Sequence, residues 1–269
     1  MKVQFYKNID MVQINVKKGI SEYFFPTNVD WANQKIDKMV VYGSYIGEGE
    51  FSPIDGDTPI LSCDRLKELY FDLYNSDNTQ IAHSLSGVNM LYNNNFPIEI
   101  NSKISLSTSK MVFYREPEED GCFLIYIFWG TKPAESSDIP KNSVTVSFKM
   151  GVGEELALSK VIDTYIHSQS KKLRGIYFWD RSSIGRAVFL TLRDYNYKTI
   201  VRLLPGAFCR PPMGLSDLNV DLPILEQAQT IQVAPMFIDS ADIDFDNSFI
   251  YYSSDGEFND EEIVITFLY

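Results

Sequence analysis

The sequence predicts an all-β protein built from two tandem, homologous jelly-roll-like β-sandwiches, residues 1–136 and 137–269, with one or two short helices. Three observations lead to this fold class. Similar segments occur in the same order in both halves, short segments alternate apolar with polar residues, and turn-forming residues recur between them. Many short strands with few helices are typical of a sandwich or a barrel. An eight-stranded jelly roll suits about 130 residues better than an immunoglobulin-like sandwich of about 100 residues.

The two halves match in four places, always in the same order. By residue number, the matches are 12–22 with 144–154, 69–87 with 188–206, 96–106 with 222–233, and 123–128 with 263–268. The alignment places Gly19 on Gly151, Gly87 on Gly206 and Ile104 on Ile231. We interpret these matches as an internal duplication, with the boundary in the polar, proline-containing segment 132–140.

The elements follow from local patterns. Val12, Ile14 and Val16 alternate with polar residues, which predicts a half-buried strand in each half. Residues 64–74 also have helical spacing, but the counterpart 188–192 is rich in β-branched and aromatic residues, so we predict a strand over 69–74. The polar residues at 75–78 and 194–197 predict turns that lead into another strand.

Later segments complete the prediction. Strands at 111–114 and 123–128 flank the acidic segment 116–121, which we interpret as a charged hairpin loop. A helix is predicted at about 154–168, where four apolar residues share one face. Its counterpart at 28–37 is less regular.

Charge and hydropathy argue against several kinds of partner. The chain has 36 Asp and Glu against 24 Lys and Arg, a net charge of −12, so no direct nucleic-acid binding is expected. Because no run of 18 apolar residues occurs and the first residues lack an apolar core, we expect no transmembrane segment and no signal peptide. The cysteines Cys63, Cys122 and Cys209 fit neither a disulfide framework nor a metal knuckle, which indicates buried thiols and assembly in a reducing cytoplasm.

The sequence offers no catalytic or cofactor-binding residues. Its two histidines, His83 and His167, lie in no metal motif, and the chain has no G-x-S-x-G. His83 is predicted on an exposed strand face. The glycine pairs at 47–49 and 151–153 lack the continuation of a phosphate-binding loop and are interpreted as turn glycines. We therefore expect no enzyme and no cofactor.

The strongest candidate metal site is formed by Asp242, Asp244 and Asp246, which match the first half of a calcium-binding EF-hand loop. The match then fails, because the sixth position is Asn247 instead of glycine and the twelfth is Ser253 instead of glutamate. An exposed strand or loop is favoured, and calcium binding stays the alternative.

Aromatic residues make up 14% of the chain and form clusters at 23–25, 177–179 and 251–252. We expect most of them to pack in cores or between strands, with subunit interfaces and sugar stacking as alternatives.

Two successive β domains in 269 residues, each opening on a strand of the form V-x-[IV]-x-[VF]-K-x-G, resemble the small double jelly-roll major capsid proteins. These belong to tailless, membrane-containing bacterial viruses of the corticovirus and finnlakevirus kind. The resemblance implies a homotrimer whose six jelly rolls form a pseudo-hexagonal capsomer, located in the virion and contacting neighbouring capsomers and other virion proteins. Two alternatives stay open: another duplicated phage protein, such as a head-to-tail ring or decoration protein, and a tandem carbohydrate-binding or adhesin module.

Overall fold

The protein is predominantly β and contains several sheets, as the sequence predicts. The computed structural model describes residues 4–5, 8–44, 50–90, 99–130, 132–133, 143–162, 175–179, 188–206, 243–253 and 261–268. Two compact units are present: the N-terminal unit, Ile9–Gly130, and the C-terminal unit, which combines Met1–Asn8 with Thr131–Tyr269. In the described ranges, no helix has the length and apolar character needed to cross a membrane.

The first group of elements extends to the end of the N-terminal unit. These elements are β1 (Gln4–Phe5), β2 (Asn8–Val16), β3 (Glu22–Phe24), β4 (Lys35–Tyr42), α1 (Cys63–Leu66), β5 (Leu69–Tyr74), β6 (Gln80–Ser86), β7 (Glu99–Lys103), β8 (Lys110–Phe113) and β9 (Gly121–Trp129). A 3₁₀ turn, Gly87–Met90, follows β6.

The second group belongs to the C-terminal unit. Its strands are β10 (Lys132–Pro133), β11 (Ser143–Met150), β12 (Glu155–Ala157), β13 (Gly175–Trp179), β14 (Val188–Arg193), β15 (Thr199–Pro205), β16 (Phe249–Tyr252) and β17 (Glu261–Leu268). A 3₁₀ turn, Leu158–Lys160, follows β12. The short strands β1 and β10 pair with each other.

In the N-terminal unit, the strands form two groups of four, hydrogen-bonded in the orders β2-β9-β4-β7 and β3-β8-β5-β6. The alternation in β5 explains how such a strand packs: Leu69, Phe71 and Leu73 are buried, and the residues between them are half-buried. These side chains share one core with Val41 and Ile125 from the other group. Full burial of one such side chain is worth roughly 1.5–3 kcal/mol, so this shared core fixes which face of each strand points inward.

The C-terminal unit repeats this order. Its described strands are hydrogen-bonded as β11-β17-β13 and as β12-β16-β14-β15. β11, β17 and β13 thus take the places of β2, β9 and β4. In the other group, β12, β16, β14 and β15 take the places of β3, β8, β5 and β6.

Several predicted elements are confirmed, and two need correction. The predicted strand over 69–74 is β5, and those at 111–114 and 123–128 correspond to β8 and β9. The acidic segment 116–121 is not a hairpin loop, because β8 and β9 lie in different sheets. The predicted boundary between residues 136 and 137 lies outside the described residues and stays a prediction.

The predicted helix at 154–168 is wrong over its described part, residues 154–162. Residues 155–157 form β12, and a 3₁₀ turn follows. The physical reason is pairing with a distant segment: Leu158 N donates to Ser248 O at 2.8 Å, and Ser159 N donates to Phe245 O at 3.0 Å. Residues 163–168 lie outside the described part of the chain.

Candidate functional site

Two of the three aspartates of the candidate metal site, Asp244 and Asp246, lie within the described residues. Asp244 is buried, and its Oδ1 accepts hydrogen bonds from the backbone N of Asp246 (3.0 Å) and of Asn247 (3.2 Å). Its Oδ2 accepts one from Asn247 Nδ2 at 2.7 Å. Asp246 is exposed, and Asp242 lies outside the described residues. Asp244 therefore stabilises a turn before β16, and the described residues contain no group of three metal-ligating side chains.

Both described cysteines are buried, and the described histidine is exposed beside a carboxylate. Cys63 and Cys122 are buried thiols that form no disulfide, and burial raises the pKa of Cys122 to about 12. His83 is exposed on β6, as predicted, with its Nδ1 3.0 Å from Asp72 Oδ1. Cys209 and His167 lie outside the described residues. Because a thiol with a raised pKa stays protonated at neutral pH, Cys122 is a poor nucleophile.

The turns that follow β2 and β11 each contain a glycine in the left-handed conformation. Gly19 has φ +76° and Gly153 has φ +75°. In the same turns, Ile20 N donates to Lys17 O and Glu154 N donates to Gly151 O, both at 3.1 Å. Gly19 therefore corresponds to Gly153, and the sequence match of Gly19 with Gly151 was wrong by two residues. Glycine suits this position because it adopts a positive φ without the strain that a Cβ adds to this backbone conformation.

Two hairpins correspond in detail: the N-terminal hairpin, β5–β6, and the C-terminal hairpin, β14–β15. Asn75 Oδ1 accepts hydrogen bonds from the backbone N of Asp77 and Thr79, both at 2.9 Å. Asp194 Oδ1 accepts the equivalent pair from Asn196 and Lys198, also at 2.9 Å. An Asx side chain thus closes the turn in each unit.

The same hairpins share an irregularity farther from the turn. Ser84 has φ +49°, and its backbone N donates to Asp72 Oδ1 at 2.9 Å. Leu203 has φ +43°, and its backbone N donates to Thr191 Oγ1 at 3.2 Å. The strand register also shifts at equivalent places in both hairpins. The two hairpins therefore share their turn hydrogen bonds, a left-handed residue and a register shift.

A buried serine connects each hairpin to the strand beside it. Ser109 Oγ accepts a hydrogen bond from Tyr74 N, and Ser248 Oγ accepts one from Arg193 N, both at 2.9 Å. Both serines are inaccessible to solvent. Sequence reasoning missed them, although the pattern serine, any residue, then Met or Ile begins one residue before both β8 and β16.

An isolated bridge lies beside the turn of each hairpin. Asn75 bridges to Ile104, and Asp194 bridges to Ile243. The two bridges start from equivalent turn residues, and the match of Ile104 with Ile231 stays a prediction. Ile231 and the matched segments around Pro97 and Pro223 lie outside the described residues.

Aromatic side chains occupy both core and surface positions. Phe25 is buried against Trp31 with ring centroids 5.9 Å apart, and Tyr251 stacks on Phe189 at 6.5 Å. The tip of the C-terminal hairpin is different, because Tyr195 and Tyr197 are 63% and 68% exposed. At the equivalent tip, the N-terminal hairpin has small polar residues instead.

The acidic segment contacts the turn after β2 and helix α1. Asp120 pairs with Lys17 Nζ at 2.8 Å and accepts from Lys18 N at 2.9 Å. Glu118 and Glu119 lie 3.6 and 3.7 Å from Arg65. The hydrogen bond from Lys17 is the main cause that lowers the pKa of Asp120. Because these side chains are exposed, each pair contributes little by itself, and the network orients the loop.

The described residues thus present strand edges and exposed aromatic side chains. Strand edges can pair with another strand, and aromatic side chains are enriched in protein–protein interfaces. Comparison of the chain with protein-family models finds no match, and comparison with curated proteins finds none either.

Proposed function

We propose that this chain is a double jelly-roll structural protein of a virus particle, and that it serves as the major capsid protein of an icosahedral shell. Three copies form a pseudo-hexagonal capsomer. Strand order is the observation that carries the proposal. In a jelly roll, eight strands form a long antiparallel hairpin that is wound into two four-stranded sheets.

Such winding pairs the first strand with the eighth, the second with the seventh, the third with the sixth and the fourth with the fifth. If β2 counts as the first strand, β9 is the eighth, and all four pairs occur: β2 with β9, β3 with β8, β4 with β7, and β5 with β6. The corresponding pairs β11 with β17, β12 with β16, and β14 with β15 occur in the C-terminal unit.

Duplication is supported by details that strand order alone does not require. The two hairpins share their Asx-closed turns, their left-handed residues and their buried serines. Independent folds would not be expected to agree at this many single hydrogen bonds. A chain with two similar units presents two similar walls, so three chains can close a ring of six similar positions.

The mass of the protein in solution tests this function. A trimeric capsomer must have a mass of three times 30.8 kDa. Light scattering coupled to size-exclusion chromatography measures this mass. Negative-stain images of this peak should show hexagonal outlines. A monomer that persists at every concentration would contradict the proposal and would favour the tandem binding module.

A further inference from the structure

Two strands have long open edges in the described part of the chain. β6, with seven residues, pairs there only with β5, and β11, with eight residues, pairs there only with β17. Among the described strands with a single hydrogen-bonded neighbour, these are the longest. An open edge presents a row of unpaired N–H and C=O groups that can pair with another strand.

β11 lacks most of the devices that keep such an edge from pairing. It follows β17 in continuous register from Ser143 opposite Leu268 to Met150 opposite Glu261, with no bulge. Its sequence contains no proline, and its only charge is Lys149, near one end. Edges that must remain unpaired are usually short, bulged or rich in charge. Two other edge strands fit this rule, since β3 and β12 have three residues each.

We propose that β6 of one copy of the chain pairs with β11 of a second copy, so that a β-sheet continues across the subunit boundary. This inference rests on the proposed trimer and adds the surface that holds it together. One edge lies in each unit, so every copy offers both the β6 edge and the β11 edge that a neighbouring copy would pair with. Such a contact joins different surfaces of the two copies, and contacts of this type close a ring when the rotation permits.

Length and charge fit this partner. β6 spans seven residues and β11 spans eight, so the two strands are similar in length. The irregularity at Ser84 divides β6, and each part of the strand can pair along a stretch of β11. The exposed side chains of β11 are Ser143, Thr145, Ser147 and Lys149, and those of β6 are Gln80, His83 and Ser84. No acidic residue lies on either strand, so two chains of net charge −12 can approach here without a carboxylate facing a carboxylate.

Cysteine cross-linking of the full chain tests the pairing. Ala82→Cys or His83→Cys on β6 is combined with Thr145→Cys or Val146→Cys on β11, so that both faces of each strand are sampled. Side chains opposite one another on paired strands have Cβ atoms about 4.5–5.5 Å apart, within disulfide reach. After mild oxidation, at least one combination should give linked dimers and trimers on a non-reducing gel, with no larger species.

The matched control combines Phe24→Cys with Thr145→Cys. Phe24 is exposed on β3, at the opposite edge of the sheet that contains β6, and this combination should stay monomeric on the gel. The unsubstituted protein gives the background from its own thiols.

Two proline variants provide a second measurement. Along a strand, successive N–H groups point to opposite sides, so of Thr145→Pro and Val146→Pro one removes an N–H from the open edge and the other removes one that faces β17. The first should convert trimers to monomers with little change in melting temperature. The second should lower the melting temperature.

Each result has a distinct meaning. Trimers that neither cross-link nor respond to the proline variants would overturn the edge pairing and leave the proposed function intact. A disulfide that forms within one chain, so that the protein still runs as a monomer on the non-reducing gel, would also overturn the edge pairing. A monomeric unsubstituted protein would overturn both.

Discussion

Asn78 and Tyr197 hold the same left-handed backbone conformation with very different side chains. Their φ angles are +59° and +60°, and each occupies the same place in its hairpin turn. Asparagine adopts this conformation readily, whereas a tyrosine there costs roughly 1 kcal/mol. The C-terminal hairpin therefore carries a strained residue at its exposed tip.

Exchanging these residues tests the cost. Tyr197→Asn should raise the free energy of unfolding by about 1 kcal/mol, and Asn78→Tyr should lower it by a similar amount. Urea unfolding followed by circular dichroism measures both. If both variants change stability in the same direction, backbone conformation is not the main cause of the difference.

The buried serines allow a second matched test. Ser109→Ala or Ser248→Ala removes the acceptor of a buried backbone N–H, and each should cost about 1–3 kcal/mol of unfolding free energy. Ser107→Ala, at a more exposed position, is the control and should change stability by less than about 0.5 kcal/mol. Equal effects at Ser107 and Ser109 would contradict this role.

The carboxylate of Asp244 is occupied by the N–H groups of its own turn, so stability should not depend on a divalent cation. A chelator should leave the melting temperature unchanged, and Asp244→Ala should lower it. Asp246→Ala, at the exposed neighbour, serves as the control. A fall of several degrees with chelator would indicate a bound ion, because a ligand held only by the folded state stabilises it by mass action.

At the scale of elements, pairing decided what the sequence pattern alone could not. The spacing of Leu66, Leu69 and Leu73 fits a helix as well as a strand, and the counterpart segment in the other half resolved it correctly as β5. The segment around Leu158 had only the less regular counterpart at 28–37, and its pairing partners near Ser248 are distant in sequence. Local periodicity identifies apolar faces well, but it cannot predict long-range hydrogen bonds.

The acidic segment gives a pH prediction for one loop. The hydrogen bond from Lys17 lowers the pKa of Asp120 below its usual value of 3.8. A carboxyl whose pKa is lower in the folded state than in the unfolded state stabilises the fold at any pH above its unfolded-state pKa. This contribution disappears as the pH falls through the folded-state pKa.

Asp120→Asn should therefore melt at a lower temperature than the unsubstituted protein at neutral pH, and the difference should vanish at low pH. Thermal melts between about pH 6 and pH 2 measure it. Glu116→Gln removes the same charge without these contacts and serves as the control. A difference that persists at pH 2 would show that the lost charge is not the cause.

At the scale of the whole molecule, net charge should control association. Each chain carries −12, so neighbouring capsomers repel one another at low ionic strength. Raising the salt concentration from about 0.01 M to about 0.1 M shortens the screening length from roughly 30 Å to roughly 10 Å. Under the proposed function, larger assemblies should then increase in light scattering. Sucrose at equal osmolality is the control, and a decrease with salt would mean that ionic attraction holds the assembly.

The sequence indicated the β class and the corresponding hairpins, because these depend on local alternation and turn residues. It did not indicate that β6 and β11 are edges among the described strands, because an edge depends on the order of strands in the sheet. It also misplaced the turn glycine, since a shift of two residues preserves the alternation of apolar positions and so cannot be detected from it.

Two consecutive units with the same strand order also present a problem during folding, because each strand has a competitor elsewhere in the chain. β17 could replace β9 beside β4 and produce a swapped, misfolded product, a common failure of multidomain proteins. Buried side chains of different size oppose this exchange: where β9 has the fully buried Tyr126, β17 has Thr266. A swapped strand would leave a ring-sized void, at a cost of roughly 3–5 kcal/mol. Divergence between the units thus makes each strand a poor substitute for its counterpart and directs the chain to its own partners.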